Sequence, residues 1–175
     1  MDRTHLGDDK LARRATFGRK NTTNFKQNVR QAMGSVNPKA NSANIPLQHR
    51  MEIRVRYKET DAQGHVHHSN YLNYFEVART EMLRSSGKSY RNLEAEGIML
   101  VVVKAVCDYK RGAKYDDILT VDTRLIKAKG TRIVHRYEIR NEHGIVCLGE
   151  TVVAAVDREG RVKRLPVWLR AEIED

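Results

Sequence analysis

One long helical period, flanked by strand-like alternation on both sides, limits what this chain can fold into. Residues 51 to 58, "MEIRVRYK", alternate strictly: Met51, Ile53, Val55 and Tyr57 on one face, Glu52, Arg54, Arg56 and Lys58 on the other. That is the pattern of a half-buried strand. After a polar loop, "NYLNYFEVARTEMLRSSG" carries Tyr71 or Leu72, Phe75, Ala78 or Arg79, and Met82 at helical spacing. Ser69 or Asn70 suits the N-cap, Arg84 sits in the last turn, and Gly87 suits the C′ position. A short second helix is expected at "YRNLEAEG". The apolar run "IMLVVVKAVCDYK" (98 to 110) is too continuous for a surface strand, and strands of about 118 to 128, 131 to 140 and 145 to 156 follow. Their junctions, "KG" and "NEHG", are turn chemistry. "DREGRVKRLP" reads as a turn and short strand, and "VWLRAEIED" as a closing helical turn. One helix against one curled antiparallel sheet is an α+β arrangement. Such a sheet leaves edges that a second subunit would cover, so a homo-oligomer is expected.

Charge separates the chain into two parts. It carries a net charge of +10. Residues 1 to 50 hold ten Lys/Arg and three Asp/Glu, and the rest 22 and 19, so +7 of that charge lies in the first segment. This segment is rich in polar residues with sparse, aperiodic apolar ones, a composition expected to stay mostly disordered, with room for a short helix around 24 to 33. Domain boundaries are therefore expected at 1–50 for a basic extension and 51–175 for the folded domain. The extension lacks a secretory h-region, and its early acids, Asp2, Asp8 and Asp9, argue against a transit peptide. Translation starting at Met51 is a further option. The chain has no apolar run of the roughly 18 residues a spanning helix needs. Two cysteines, Cys107 and Cys147, make neither a zinc pattern nor a disulfide scaffold, which favours a reducing, cytoplasmic setting. Nucleic acid is not expected as a partner, and any membrane contact would fall to the basic extension.

The loop between the first strand and the helix concentrates the titratable groups. "ETDAQGHVHHSNYLNYFEVART" (59 to 80) sets Asp61 before His65, His67 and His68, at the point where unpaired helix N–H groups point outward. Those donors suit the negative charge that develops on an ester or thioester carbonyl, where one preorganised donor is worth roughly 3–4 kcal/mol. Asp61 can act there as nucleophile or general base, and Gly64 lets the backbone turn tightly. Loop aspartates also commonly cap turns, so the residues alone leave catalysis and capping both open. His65-x-His67-His68 has no outside ligand set to complete a metal site, and no metal or cofactor is expected. Tyr57 on its apolar face reads as a core aromatic, His135 as a satisfied core or interface histidine, and Glu76/Arg79 with Glu81/Arg84 as surface pairs.

The stretch "YKETDAQGHVHHSNYLNYFEVARTEMLR" resembles the signature of the hot-dog-fold thioesterases of the 4-hydroxybenzoyl-CoA thioesterase type, and within them the acyl-CoA thioesterases associated with the Tol-Pal system. Tyr57, Thr60, Asp61, Ala62, Gly64, Val66, His68 and Tyr71, then Ala78 to Leu83, carry the likeness. It is strong over this stretch and looser across 51 to 165. The resemblance implies a hot-dog fold, dimers or tetramers, and hydrolysis of an acyl-CoA thioester in a cleft between subunits. It implies Asp61 as nucleophile or base, the His68 N–H as carbonyl polariser, and the His68 ring and Tyr57 as orienting groups. Gly64, His65, His67, Tyr71 and Met99 are then expected near substrate, with His65 and His67 departing from the usual residues and bearing on acyl preference. Lys104, Lys110, Arg111 and Lys114 are candidates for the CoA phosphates. Competing expectations are a hot-dog hydratase or dehydratase, disfavoured because Asp61 and His65 lack an intervening Asn-Pro, and a non-catalytic acyl-CoA-binding module.

Overall fold

The computed structural model describes residues 45–172. The short helix expected near 24 to 33, and nearly all of the basic extension, lie outside the described residues. Alternation in the first apolar segment does make a strand, β1 (Gln48–Arg54), whose Met51 and Ile53 face inward while Arg50, Glu52 and Arg54 stay exposed. It starts three residues before the expected boundary, and Ile45 and Leu47 already pack into the core. The long helical period forms α1 (Asn70–Arg84), burying Tyr71, Tyr74, Phe75, Ala78, Arg79, Met82 and Leu83 along one stripe. A short helix α2 (Tyr90–Ala95) follows, opened by a reciprocal capping box between Ser89 and Asn92.

Four long strands complete the sheet: β2 (Met99–Tyr109), β3 (Ile118–Lys129), β4 (Arg132–Asn141) and β5 (Gly144–Val156). A two-residue strand, β6 (Ala171–Glu172), pairs with the far end of β3. The order is β1-β3-β4-β5-β2, every pairing antiparallel. One curled sheet against one long helix is the hot-dog arrangement. The closing segment forms a 3-10 turn at Val167–Leu169, and the short strand expected within 157–166 is a single bridge, Val156 to Val162.

Two sequence expectations fail for physical reasons. The alternation running on to Lys58 does not extend β1, because the backbone breaks into a 3-10 turn at Tyr57–Glu59, where the Glu59 carboxylate accepts the Arg56 N–H at 2.8 Å. Tyr57 therefore leaves the apolar face and is 78% exposed. The apolar run of β2 is not a buried central strand either. It is an edge strand, and Val101, Val102 and Val103 are exposed. Periodicity reports how apolar a strand is, not which neighbour covers it.

The core has two parts. Met82, Leu83, Leu93, Leu125, Ile133 and Leu165 belong to one cluster, Tyr71, Phe75, Leu119, Val121, Tyr137 and Ile139 to the other. Each large side chain removed from water contributes about 1.5–3 kcal/mol. Pairing of β2 with β5 also brings the free thiols of Cys107 and Cys147 together, and a hydrogen bond from the Cys147 thiol pulls the Cys107 thiol below its ordinary value. His135 is buried but not satisfied, since its Nδ1 has no hydrogen-bond partner among the described residues.

Two outcomes follow from this packing. A chain beginning at residue 51 loses the start of β1 and the Ile45 and Leu47 contacts and melts several degrees lower than one beginning at 45; equal melting curves would contradict the packing. Burial first, and Arg79 second, push the His135 imidazole down to about 3, against 6.5 for a free histidine. The unfolded chain thus takes up a proton that the folded one refuses. Stability present above about pH 6.5 is lost as pH falls toward 3, by up to ~1.4 kcal/mol per pH unit. Urea midpoints of the wild type should fall more steeply from pH 6.5 to about 4.5 than those of His135→Phe.

Candidate active site

The loop that joins β1 to α1 is tied to itself before it is tied to anything else. Asp61 N–H donates to the His65 carbonyl at 2.8 Å, and Gly64 N–H returns to the Asp61 carbonyl at 2.9 Å. Gly64 closes this turn at φ +75°, where a residue with a Cβ would be strained. The Asp61 side chain joins in, its Oδ1 accepting the Gln63 N–H at 2.8 Å and the His65 N–H at 3.5 Å. Asp61 is therefore a turn cap, as the plainer reading of the sequence held. Its second oxygen, Oδ2, has no hydrogen bond among the described residues and is left for other chemistry.

Three contacts dock this loop on the fold. Val66 is buried and donates its N–H to the Ala113 carbonyl at 2.8 Å. The His65 ring lies on Gly112, so close that a Cβ there would stand 2.4 Å from His65 Cδ2. Glu59 is the hub: its carbonyl accepts the His67 N–H and the Asn70 Nδ2, each at 2.8 Å, and its carboxylate accepts the Tyr74 hydroxyl at 2.9 Å. One acidic residue thus binds the end of β1, the histidine loop and the first turns of α1.

The helix entrance itself is partly open. Asn70 N–H bonds to the His67 carbonyl at 2.9 Å and Leu72 N–H to the Ser69 carbonyl at 3.2 Å. The His68 N–H makes no hydrogen bond among the described residues, while its carbonyl accepts the Tyr109 hydroxyl at 3.1 Å. Ser69 is the N-cap by position, but its hydroxyl bonds to His67 Nδ1 at 2.8 Å instead of capping the helix. His67 and His68 are exposed, their rings 4.1 Å apart between centroids.

The expected site residues divide accordingly. Asp61, Gly64, His65, His67 and His68 share one loop. Tyr71 lies beside them but is 3% exposed, its ring edge-on to Tyr109 at 5.3 Å, and burial raises its hydroxyl to about 12. It holds the loop from below. Tyr57 stands outside the loop, edge-on to Tyr115 at 5.6 Å. Met99 is not brought there within one chain: Tyr109 is the β2 residue that reaches His68, and Met99 is ten residues back along the strand, on the order of 30 Å. Of the candidate phosphate ligands, Lys104 pairs with Glu150 at 3.4 Å and Lys110 with Asp108, leaving Arg111 and Lys114 exposed. Glu59, Tyr74 and Tyr109 were missed as site supports. The Arg56-to-Glu59 spacing of a helical cap was the available signal for Glu59.

This fold occurs in known proteins. Residues 55–173 match the family model described as the thioesterase-like superfamily. The chain belongs to that family. It is 38% identical over 127 residues to the acyl-CoA thioester hydrolase YbgC of Escherichia coli O157:H7, covering 71% of this chain and 95% of that protein. To the acyl-CoA thioesterase YbgC of Haemophilus influenzae it is 37% identical, covering 70% of this chain and 88% of that one. Among solved structures, the DHNA-CoA thioesterase of Staphylococcus aureus superposes with a TM-score of 0.65 at 34% identity, over 67% of this chain and 80% of that one.

Glu59 and Tyr74 should behave as one unit. Glu59→Ala leaves the Tyr74 hydroxyl without its acceptor and should cost about 1–3 kcal/mol in urea unfolding. Tyr74→Phe in the Glu59→Ala background should then cost less than in the wild type; additive losses would separate them.

Proposed function

We propose that the chain is an acyl-CoA thioesterase, releasing a free acid and CoA, with its chemistry on the 59–71 loop. The observation that carries this reading is the pairing of two unused groups in one short loop: the Asp61 Oδ2 lone pairs and the His68 N–H at the entrance to α1. In this mechanism the His68 N–H donates to the thioester carbonyl oxygen and stabilises the oxyanion as it forms, worth roughly 3–4 kcal/mol. The Asp61 carboxylate either attacks the carbonyl carbon or draws the proton from an attacking water. The Oδ1 bonds to Gln63 and His65 hold that carboxylate in place, which reconciles the turn cap with the catalytic role. The exposed His68 ring and Tyr57 hydroxyl are assigned to orienting substrate and water. Gly64, His65 and His67 are assigned to the substrate's side of the loop, and Arg111 and Lys114 to the CoA phosphates. Relatives named as acyl-CoA thioester hydrolases support this reading over a hydratase or a silent binding module.

A homodimer or tetramer belongs to the same proposal. The edge strand β2 exposes Val101, Val102 and Val103 at 41%, 47% and 53%, and α1 exposes Leu72 and Val77. An apolar, unpaired sheet edge is the kind of surface that a second copy covers. A cytoplasmic, CoA-bearing compartment suits the two free thiols.

A panel of acyl-CoAs from acetyl to palmitoyl, with aromatic members, read by thiol release, should show hydrolysis of at least one class. Asp61→Asn keeps the Oδ1 turn and should lower kcat by about 10²–10⁴-fold. Glu76→Gln on the exposed side of α1 should stay within a few-fold of wild type. Near-normal turnover by Asp61→Asn would end the assignment.

A further inference from the structure

The end of β2 reaches the catalytic loop with one side chain. Tyr109 is the last residue of that strand and pairs across to Cys147 of β5. Just past it, the N–H groups of Lys110 and Arg111 both donate to the Val146 carbonyl, at 2.8 and 3.2 Å, and fix the strand end to β5. The chain then enters Gly112 and Ala113, on which His65 and Val66 dock. Tyr109 therefore stands on a tied backbone. Its ring lies edge-on to Tyr71 at 5.3 Å, Tyr71 lies edge-on to Tyr74 at 5.9 Å, and the Tyr74 hydroxyl ends on the Glu59 carboxylate. A phenylalanine would pack on Tyr71 equally well. What the hydroxyl adds is the bond of 3.1 Å that it donates to the His68 carbonyl. Burial first, and the Cys107 thiol second, raise this hydroxyl above its ordinary value, so it keeps its proton and remains a donor.

The His68 carbonyl is one of two that decide where the His68 N–H points. A trans peptide is planar and sets its N–H opposite its carbonyl. The His67 carbonyl accepts the Asn70 N–H at 2.9 Å, so the N–H of the same peptide, that of His68, is turned away from the first helical turn. The next peptide carries the His68 carbonyl. Tyr109 holds it on one side, and on the other there is only a long contact of 3.4 Å from the Ser69 N–H to His67 Nδ1. The two planes meet at the His68 Cα. With both fixed, the residue cannot swing.

We infer that Tyr109 is a positioning residue for the hydrolysis: its hydroxyl, acting through the His68 carbonyl, holds the His68 N–H toward the place where the thioester oxyanion forms. The inference rests on the acyl-CoA thioesterase reading and adds to it a residue from the far side of the sheet edge. A preorganised donor is effective because it need not be reoriented as charge develops. Without the hydroxyl the donor is still present but wanders, and a misplacement of about 1 Å can cost on the order of 10²-fold in rate.

Tyr109→Phe, assayed on an acyl-CoA that the wild type hydrolyses, tests this. Its kcat should fall by about 10- to 100-fold while KM stays within about threefold, because the oxyanion exists only in the transition state. Replacing Tyr109 by 4-aminophenylalanine, whose N–H reaches the same carbonyl, should return kcat to within about threefold of wild type. Both variants should melt within a few degrees of it. In a ¹⁵N–¹H spectrum the His68 amide signal should shift and broaden in Tyr109→Phe, while those of Asp61 and Gly64, held by their own turn, stay in place. A kcat for Tyr109→Phe within about threefold of wild type overturns the inference. So does a loss that 4-aminophenylalanine does not repair, since that loss belongs to packing, and so does a rise in KM with kcat unchanged. If the wild type hydrolyses no acyl-CoA at all, the thioesterase reading itself has failed and this inference falls with it.

Discussion

The position of α1 on the sheet rests on one close approach. Phe75 lies flat against Tyr137, rings 4.2 Å apart and 16° from parallel, both fully buried. That stack is possible only because β5 has no side chain beneath it. A Cβ on Gly149 would stand 2.2 Å from Phe75 Cζ, so the ring or the helix that carries it would have to move. Interiors are packed too densely to absorb such an overlap locally. The helix therefore sits at a fixed height, and its entrance, carrying His68 and Asn70, is held where the loop can be tied to Glu59. A second bare position serves the loop in the same way, since Gly112 makes room for the His65 ring.

How much of this could be read beforehand depended on whether a feature is local. The helix was legible because Tyr71, Phe75, Ala78 and Met82 recur on one stripe, and the antiparallel strands because their turns announce themselves. The loop was legible as chemistry because Asp61 and the histidines are neighbours in sequence. Tyr57 was misplaced because alternation continues through it while the backbone does not: Glu59 captures the Arg56 N–H and ends the strand from outside the pattern. The β2 edge was misjudged because an apolar strand is a statement about composition, and its missing neighbour is a statement about topology. Met99 and the loop were joined in one expected site, although strand direction carries them to opposite ends. Arg79 and His135 were each read singly, one as half of a surface pair, the other as a satisfied core group. Only tertiary structure shows that both are buried, each with one nitrogen unpartnered among the described residues.

The loop also shows why capping and catalysis are poor alternatives for an aspartate. A carboxylate has two oxygens and about four acceptor positions. Here Oδ1 is occupied by the backbone of its own turn and Oδ2 is not. The first oxygen removes rotational freedom from the side chain, and the second can then be presented in one orientation. A free aspartate on a mobile loop would have to be ordered at each turnover, and that entropy would count against the rate. The turn that seemed to argue against function is what preorganises it.

The two halves of the core carry this division through the molecule. The half nearer the loop is aromatic and rigid, with Tyr71, Tyr74, Phe75 and Tyr137 in mutual contact or through shared neighbours. The other half is aliphatic. Burying Arg79 between them is costly unless its charge is met, and Glu76 meets it from the water side while Tyr90 and Tyr137 lie near it within the fold. A core that wanted stability alone would place a leucine or methionine there, one turn past Phe75 on the same stripe. An arginine at that position instead joins the water-facing Glu76 to the buried surroundings of Tyr90 and Tyr137, so that one side chain links the surface of α1 to the layer beneath it.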